Sequence, residues 1–90
     1  PMAATPTWSR GDKSRAQQIL RRIAKHYGGW QAIADQLGMS ADSSRATVES
    51  WHRRGRVSLP YAVAVRKLGE AAGIDCSARE LSPQARHLEA

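Results

Sequence analysis

Residues 29–57 read GWQAIADQLGMSADSSRATVESWHRRGRV, and their pattern decides the fold that we expect. Apolar residues recur at helical spacing until Gly38, which predicts a short helix ended by a glycine. A polar stretch follows, and then Val48 and Trp51 stand three residues apart among polar neighbours. This pair predicts a second helix that packs through one face and leaves its other face in water. Gly55 is expected to end that helix.

One longer helix is predicted before this central pair. Ser9 and Asp12 have the spacing of an N-terminal capping pair. An apolar stripe then continues at helical period over residues 16–27. Gly28 and Gly29 follow it and are expected to end the helix, because glycine adopts the left-handed conformation of a helix cap without penalty.

Two helical segments are predicted after the central pair. Pro60 suits the first turn of a fourth helix, since its missing N–H would be unpaired there in any case. The apolar stripe expected for this helix consists of Tyr61, Val65, Leu68 and Ala72, with Gly73 at its end. Ser77 and Glu80 form a capping-box pattern for one last short turn before Pro83. With no strand candidate longer than a few residues, we expect an all-α fold, a small bundle of four to five helices.

We expect a single domain over residues 9–83, preceded by an N-terminal arm at 1–8 and followed by a loose tail at 84–90. The proline before the first methionine resembles the remainder of a cleaved expression tag. No run of about 18 apolar residues is present, and no signal-peptide pattern, so we expect a soluble cytoplasmic protein without a membrane partner. Cys76 is the only cysteine, which excludes an internal disulfide.

The basic residues are concentrated in two segments. The chain has 14 Lys and Arg against 8 Asp and Glu, a net charge of +6. Residues 10–26 contain six basic side chains and one acidic one, and residues 43–56 contain four and one. Beyond residue 56 the two signs cancel. An excess confined in this way favours a polyanionic partner, although an ordinary solvated helix face is the alternative.

A short helix, a turn and a second helix with one polar face form the layout of a helix-turn-helix. Residues 29–38 and 48–57 resemble the Cro and phage-repressor class of regulators, especially the small YdaS-like Cro proteins. The likeness lies in the pattern valine, x, x, tryptophan, x, x, arginine-glycine, and in the later segments Leu59-Pro60 and Leu81-Ser82-Pro83. It covers roughly residues 16–83.

The resemblance implies a phage-repressor-like bundle that binds double-stranded DNA in a sequence-specific way and regulates transcription. With no effector domain in view, repression by occluding a promoter is the simplest mechanism. One recognition helix covers few base pairs, so we expect a homodimer on an inverted-repeat operator with half-sites about 34 Å apart or a multiple of it. The expected setting is the cytoplasm of a bacterial or phage-infected cell.

The segment between the turn glycine and the anchoring valine is several residues longer than the family pattern. Unless these residues are an insertion, Ser44 and Thr47 fall on positions that the family fills with apolar groups, where buried hydroxyls need partners. Two arrangements remain open, a longer loop over residues 39–43 or an additional helical turn beginning near Ser40. Both keep the anchoring valine and tryptophan inward.

The open face of the recognition helix supplies the candidates for reading bases, which are Arg45, Ala46, Glu49, Ser50 and Arg53. Arg45 is suited to guanine O6 and N7, the commonest specific contact. Glu49 either accepts a hydrogen bond from cytosine N4 or pairs within the helix with Arg45 or Arg53, and both interpretations stay open. Ser50 can donate or accept at a base edge.

A second set is expected to contact phosphates, namely Gln31, Ser44, His52, Arg54, Arg56, Lys13, Arg15, Arg21 and Arg22. For Gln31 and His52 simple exposure is the alternative. Trp51 and Trp30 are expected in the core, whereas Trp8 packs either on the bundle or on a partner subunit.

No catalytic motif, metal-ligand spacing or cofactor loop is present, so we expect neither an enzyme nor a cofactor, a metal or a small-molecule ligand. The alternative function is a protein-interaction or packaging accessory module that uses the same bundle. RNA binding is a third interpretation, disfavoured because no aromatic platform is interleaved with the basic residues.

Overall fold

The computed structural model describes residues 8–40, 42–83 and 85. These residues form five helices and no strand, which confirms the expected all-α fold. The helices are α1 (Arg10–Tyr27), α2 (Trp30–Gln36), α3 (Ser44–Arg54), α4 (Leu59–Ala71) and α5 (Ala78–Leu81). None of them is both long and apolar enough to cross a bilayer.

Helix α1 has the caps that its sequence predicts. The Ser9 side chain accepts the Asp12 N–H at 3.1 Å, and Asp12 Oδ2 accepts the Ser9 N–H at 2.9 Å, so a complete capping box begins the helix. Gly28 ends it with φ of +106°, and the N–H groups of Gly28 and Gly29 both donate to Ala24 O at 2.8 Å. Between these caps one stripe of the helix is fully buried in the core.

The segment between α2 and α3 is a loop, which decides between the two arrangements that the sequence left open. Gly38 reverses the chain with φ of +72°, and the Met39 N–H donates to Ala34 O at 3.0 Å. Helix α3 begins at Ser44, and Ser40, Asp42 and Ser43, the described residues just before it, belong to no helix. The residues of this loop that the structure describes therefore absorb the extra length.

The buried face of α4 differs from the stripe that the sequence predicts. Ala62, Val65 and Gly69 are buried, whereas Tyr61 and Leu68 are only partly so. Gly69 lets the later segment at Cys76 approach α4 closely, since a Cβ at Gly69 would lie 2.5 Å from Cys76 Sγ. Gly69 therefore lies on the buried face of α4, although a pattern of apolar residues does not predict a glycine there.

One residue of the expected arm and one of the expected tail contact the helical bundle. Trp8, expected in the arm, donates its indole N–H to Gly55 O at 2.7 Å. Ala85, expected in the tail, is 3 % exposed and packs with Ala62 and Ala78. The other residues of the arm and of the tail lie outside the described part.

Candidate nucleic-acid interface

Helix α3 is fixed by one stripe of buried residues. Ser44, Val48 and Trp51 are 2 %, 0 % and 4 % exposed, and Gly55 continues the same stripe. They face α1 and α2, and the ring of Trp51 also lies 5.2 Å from that of Tyr61. The inward placement of Trp51 is as predicted. The helix thus buries one side and holds the opposite side at a fixed angle.

The side of α3 away from this stripe bears the five candidates for base reading, and we call it the open face. Arg45, Ala46 and Arg53 are exposed, and Glu49 and Ser50 are half-buried. Gln17 of α1 donates its amide to Arg53 O at 3.3 Å and so ties the end of the helix to α1 without using the Arg53 side chain. The open face is therefore a polar surface on a rigidly held helix.

Arg45 and Glu49 form an ion pair across one turn of the open face. Arg45 Nε lies 3.2 Å from Glu49 Oε1, and the two side chains are 65 % and 39 % exposed. An exposed pair at this spacing contributes only about 0.3–0.5 kcal/mol, so either group can leave it for a better partner. In the unbound protein Glu49 therefore takes the intrahelical pairing, which is one of the two interpretations that the sequence allows.

The residues expected to bind phosphate do not all reach one surface. Arg54, Arg56 and Lys13 lie together at the C-terminal end of α3. Ser44 is buried, which is a correction of its expected phosphate contact, since its side chain has no open surface. The position follows the helical register of α3, and no side-chain polar atom buried in the described part lacks a hydrogen-bond partner.

Arg15 and Arg22 point to other parts of the molecule. Arg15 Nε donates to Glu80 Oε2 at 2.9 Å, and its Nη2 donates to Asp75 O at 3.1 Å, so this side chain joins α1 to the start of α5. Arg22 lines a separate surface depression near Ala72. The sequence placed both on a basic helix but contained no sign of where the later helices would pack.

His52 lies half-buried where α1, α2 and α3 meet. Its ring centroid is 4.8 Å from that of Trp30, and its Nε2 is 3.2 Å from Arg21 Nη1. Burial, and secondly the positive charge of Arg21, lower the pKa of His52 below its ordinary value. A neutral imidazole that accepts from Arg21 is a poor phosphate ligand. Trp30, expected as a core residue, is half-buried, and its ring packs against the imidazole of His52.

Gln31 is exposed on α2, and its amide donates to Asp35 Oδ1 at 3.0 Å. Two residues that the sequence did not assign to phosphate binding, Trp8 and Arg10, lie beside the cations at the C-terminal end of α3. Both line the same depression as Lys13 and Arg54. The one sequence signal for Arg10 is its position three residues before Lys13, which puts both on one face of α1.

Within the described residues no group of three or more His, Cys, Asp or Glu side chains is arranged to hold a metal ion. No protein-family model matches the chain, and the comparisons with curated proteins and with solved structures find no significant match.

Proposed function

We propose that this protein is a sequence-specific double-stranded DNA-binding regulator whose α2 and α3 act as a helix-turn-helix of the phage-repressor type. In this proposal α3 enters the major groove, and the protein represses transcription by covering a promoter. It acts as a homodimer on an inverted repeat in the cytoplasm of a bacterial or phage-infected cell.

The observation that carries the proposal is the division of α3 into a buried apolar stripe and an open face that bears Arg45 and Arg53. A helix held in this way presents its polar side chains to a groove about 12 Å wide without unfolding any part of the core. Arg45 lies near the start of the helix, where it can reach guanine, and Glu49 becomes available to cytosine once Arg45 turns to a base.

The surface composition also supports a polyanionic partner. Among the described residues Val63, 46 % exposed, is the one large apolar side chain that is exposed, whereas Trp8 and Trp30 are half-buried. Protein interfaces have apolar or aromatic residues at their centre, and a lone valine is no such centre. Three arginines at the C-terminal end of the same helix, Arg53, Arg54 and Arg56, are exposed instead.

The test is selection of bound duplexes from a random pool, followed by affinity measurements on the selected duplex at increasing salt. We expect an inverted repeat, and an affinity that falls steeply with salt. About six phosphate contacts correspond to a slope near −5 in a plot of log affinity against log salt concentration. Binding without a preferred sequence and without salt dependence would overturn the proposal and favour a protein-interaction module.

A further inference from the structure

An open surface depression of about 540 Å³ lies at one end of the bundle, and we call it the basic depression. Its lining consists of Trp8, Ser9, Arg10, Lys13, Arg54 and Arg56. A second concavity of about 150 Å³ continues from it and shares Arg54 and Arg56. Four cationic side chains from distant parts of the sequence thus surround one concave surface.

The close approach of α1 and α3 builds the basic depression. Gly55, the C-terminal cap of α3, is buried against Lys13: a Cβ there would lie 2.8 Å from Lys13 O and 2.9 Å from its Cα. Trp8 also contacts the end of α3, because its indole N–H donates to Gly55 O at 2.7 Å. The first turn of α1 is therefore fixed beside the last turn of α3.

The basic depression keeps a net positive charge within the described part of the chain, since four cations face one nearby carboxylate, that of Asp12. Arg15, Arg45 and Arg66 each have a carboxylate partner, whereas Arg10, Lys13, Arg54 and Arg56 form no ion pair with any described residue. Asp12 is the nearby acid on α1, and its carboxylate accepts from the Ser9 N–H and Oγ, both at 2.9 Å. Four like charges held together by packing favour an anion between them.

We propose that the basic depression binds backbone phosphates of the duplex that the open face of α3 contacts, with Arg10 as a ligand alongside Lys13, Arg54 and Arg56. This inference rests on the proposed function. The depression is shallow and its charges spread over two helices, which suits a row of phosphates better than one small enclosed anion. It lies at the C-terminal end of α3, in the same last turn that carries Arg53 of the open face.

The basic depression also sets the direction of α3 on the duplex. Eleven helical residues extend about 16 Å, more than the width of about 12 Å of the major groove. With its C-terminal end on a phosphate backbone, α3 would place its N-terminal residues in the groove, as recognition helices of helix-turn-helix proteins do. Arg45 and Ala46 then face bases, and Arg54 and Arg56 hold the register.

The experiment measures the affinity of the full-length chain for the selected duplex and for a scrambled duplex from low salt to about 1 M KCl. Arg10→Ala and Arg56→Ala are compared with Lys25→Ala, which removes the same charge from an exposed position of α1 in the separate depression near Ala72. For Arg10→Ala and for Arg56→Ala we expect a salt slope smaller by about 0.9 for each bound chain, and hence a loss of affinity relative to the wild type that is about eightfold larger for each bound chain at 0.1 M than at 1 M salt, on both duplexes. Lys25→Ala is expected to keep the slope of the wild type.

The outcomes separate the inference from the function on which it rests. If the wild type binds the selected duplex and both arginine variants keep its slope, the basic depression is not a phosphate site, although the function stands. If Arg10→Ala weakens only the selected duplex, the residue reads sequence and the inference fails. If the wild type has no salt-dependent affinity for duplex, the proposed function itself is wrong. Far-ultraviolet circular dichroism verifies that each variant is folded.

Discussion

Under the proposed function Arg45 would leave its exposed ion pair with Glu49 to contact a base. Because that pair is weak, we expect Arg45→Ala to change the affinity for duplex and to leave the stability of the fold nearly unchanged. We expect Arg45→Ala to cost about 1–3 kcal/mol of affinity on the selected operator and to relax the preference at one base position. Titration of the operator and of single-base variants by fluorescence anisotropy measures both effects.

The matched control for Arg45 is Lys67→Ala, which removes one charge from an exposed position of α4. We expect this control to keep the sequence preference and nearly all of the affinity. Equal losses on operator and scrambled duplex for Arg45→Ala would mean that Arg45 contacts the backbone and reads no base.

His52 makes the stability of the fold depend on pH. Burial, and then Arg21, lower its folded-state pKa below the ordinary value of about 6.5. Below that value the unfolded chain binds more protons than the folded one, so the free energy of unfolding falls as the pH drops from about 6.5 towards the folded pKa. Above about pH 7.5 the contribution of His52 to the free energy of unfolding no longer changes with pH. Urea denaturation of His52→Gln should show a weaker dependence over this window than the wild type.

The control for this pH effect is His26→Gln, since His26 is exposed. Carboxylates contribute equally to the wild type and to both variants, so a change of slope found only with His52→Gln comes from His52. A His52→Gln curve parallel to the wild type from about pH 7.5 to 5.5 would contradict the placement of His52 between Trp30 and Arg21.

At the scale of the element, the end of α3 depends on Gly55 for two separate reasons. Its φ of +67° is unfavourable for a side chain, and a Cβ would overlap Lys13. Gly73 has a φ of +75°, but a Cβ added there would meet no other atom within 4 Å, so Gly73→Ala incurs the backbone cost alone, about 1–2 kcal/mol. Gly55→Ala adds an overpacking cost of about 1–3 kcal/mol.

Urea denaturation of the two alanine variants isolates the close approach of α1 and α3. We expect Gly55→Ala to be the less stable of the two, and to weaken duplex binding because it displaces Lys13 from the basic depression. Equal losses of stability would show that α1 and α3 are not in contact at this point.

At the scale of the whole molecule, the dimensions allow two copies to lie side by side on one face of a duplex. The extents across the Cα trace are 44, 28 and 21 Å, so two copies fit the separation of about 34 Å between half-sites one helical turn apart when their long axes lie across the duplex. We expect two chains on a duplex with both half-sites. Analytical ultracentrifugation measures this ratio, and one chain on the full inverted repeat would exclude the dimer.

Features that depend on residues close in sequence could be predicted from the sequence. The capping boxes of Ser9 with Asp12 and of Ser77 with Glu80 are present, because each joins residues three positions apart. The helix ends at Gly28 and Gly55 follow from the left-handed conformation that glycine adopts freely. The burial of Val48 and Trp51 follows from their spacing on one helix, and so does the exposure of Arg45 on the opposite side.

Features that depend on contacts between distant residues were decided by the tertiary structure. Arg15 pairs with Glu80, 65 residues away, and so leaves the surface that its basic neighbours predicted. The position of Trp8 against Gly55 turns an expected arm residue into part of the basic depression. The sequence by itself determined the helices and the two faces of α3, because helical periodicity and capping are local. Only the tertiary structure decided which cations lie on one surface, because their positions depend on how α1 packs against α3.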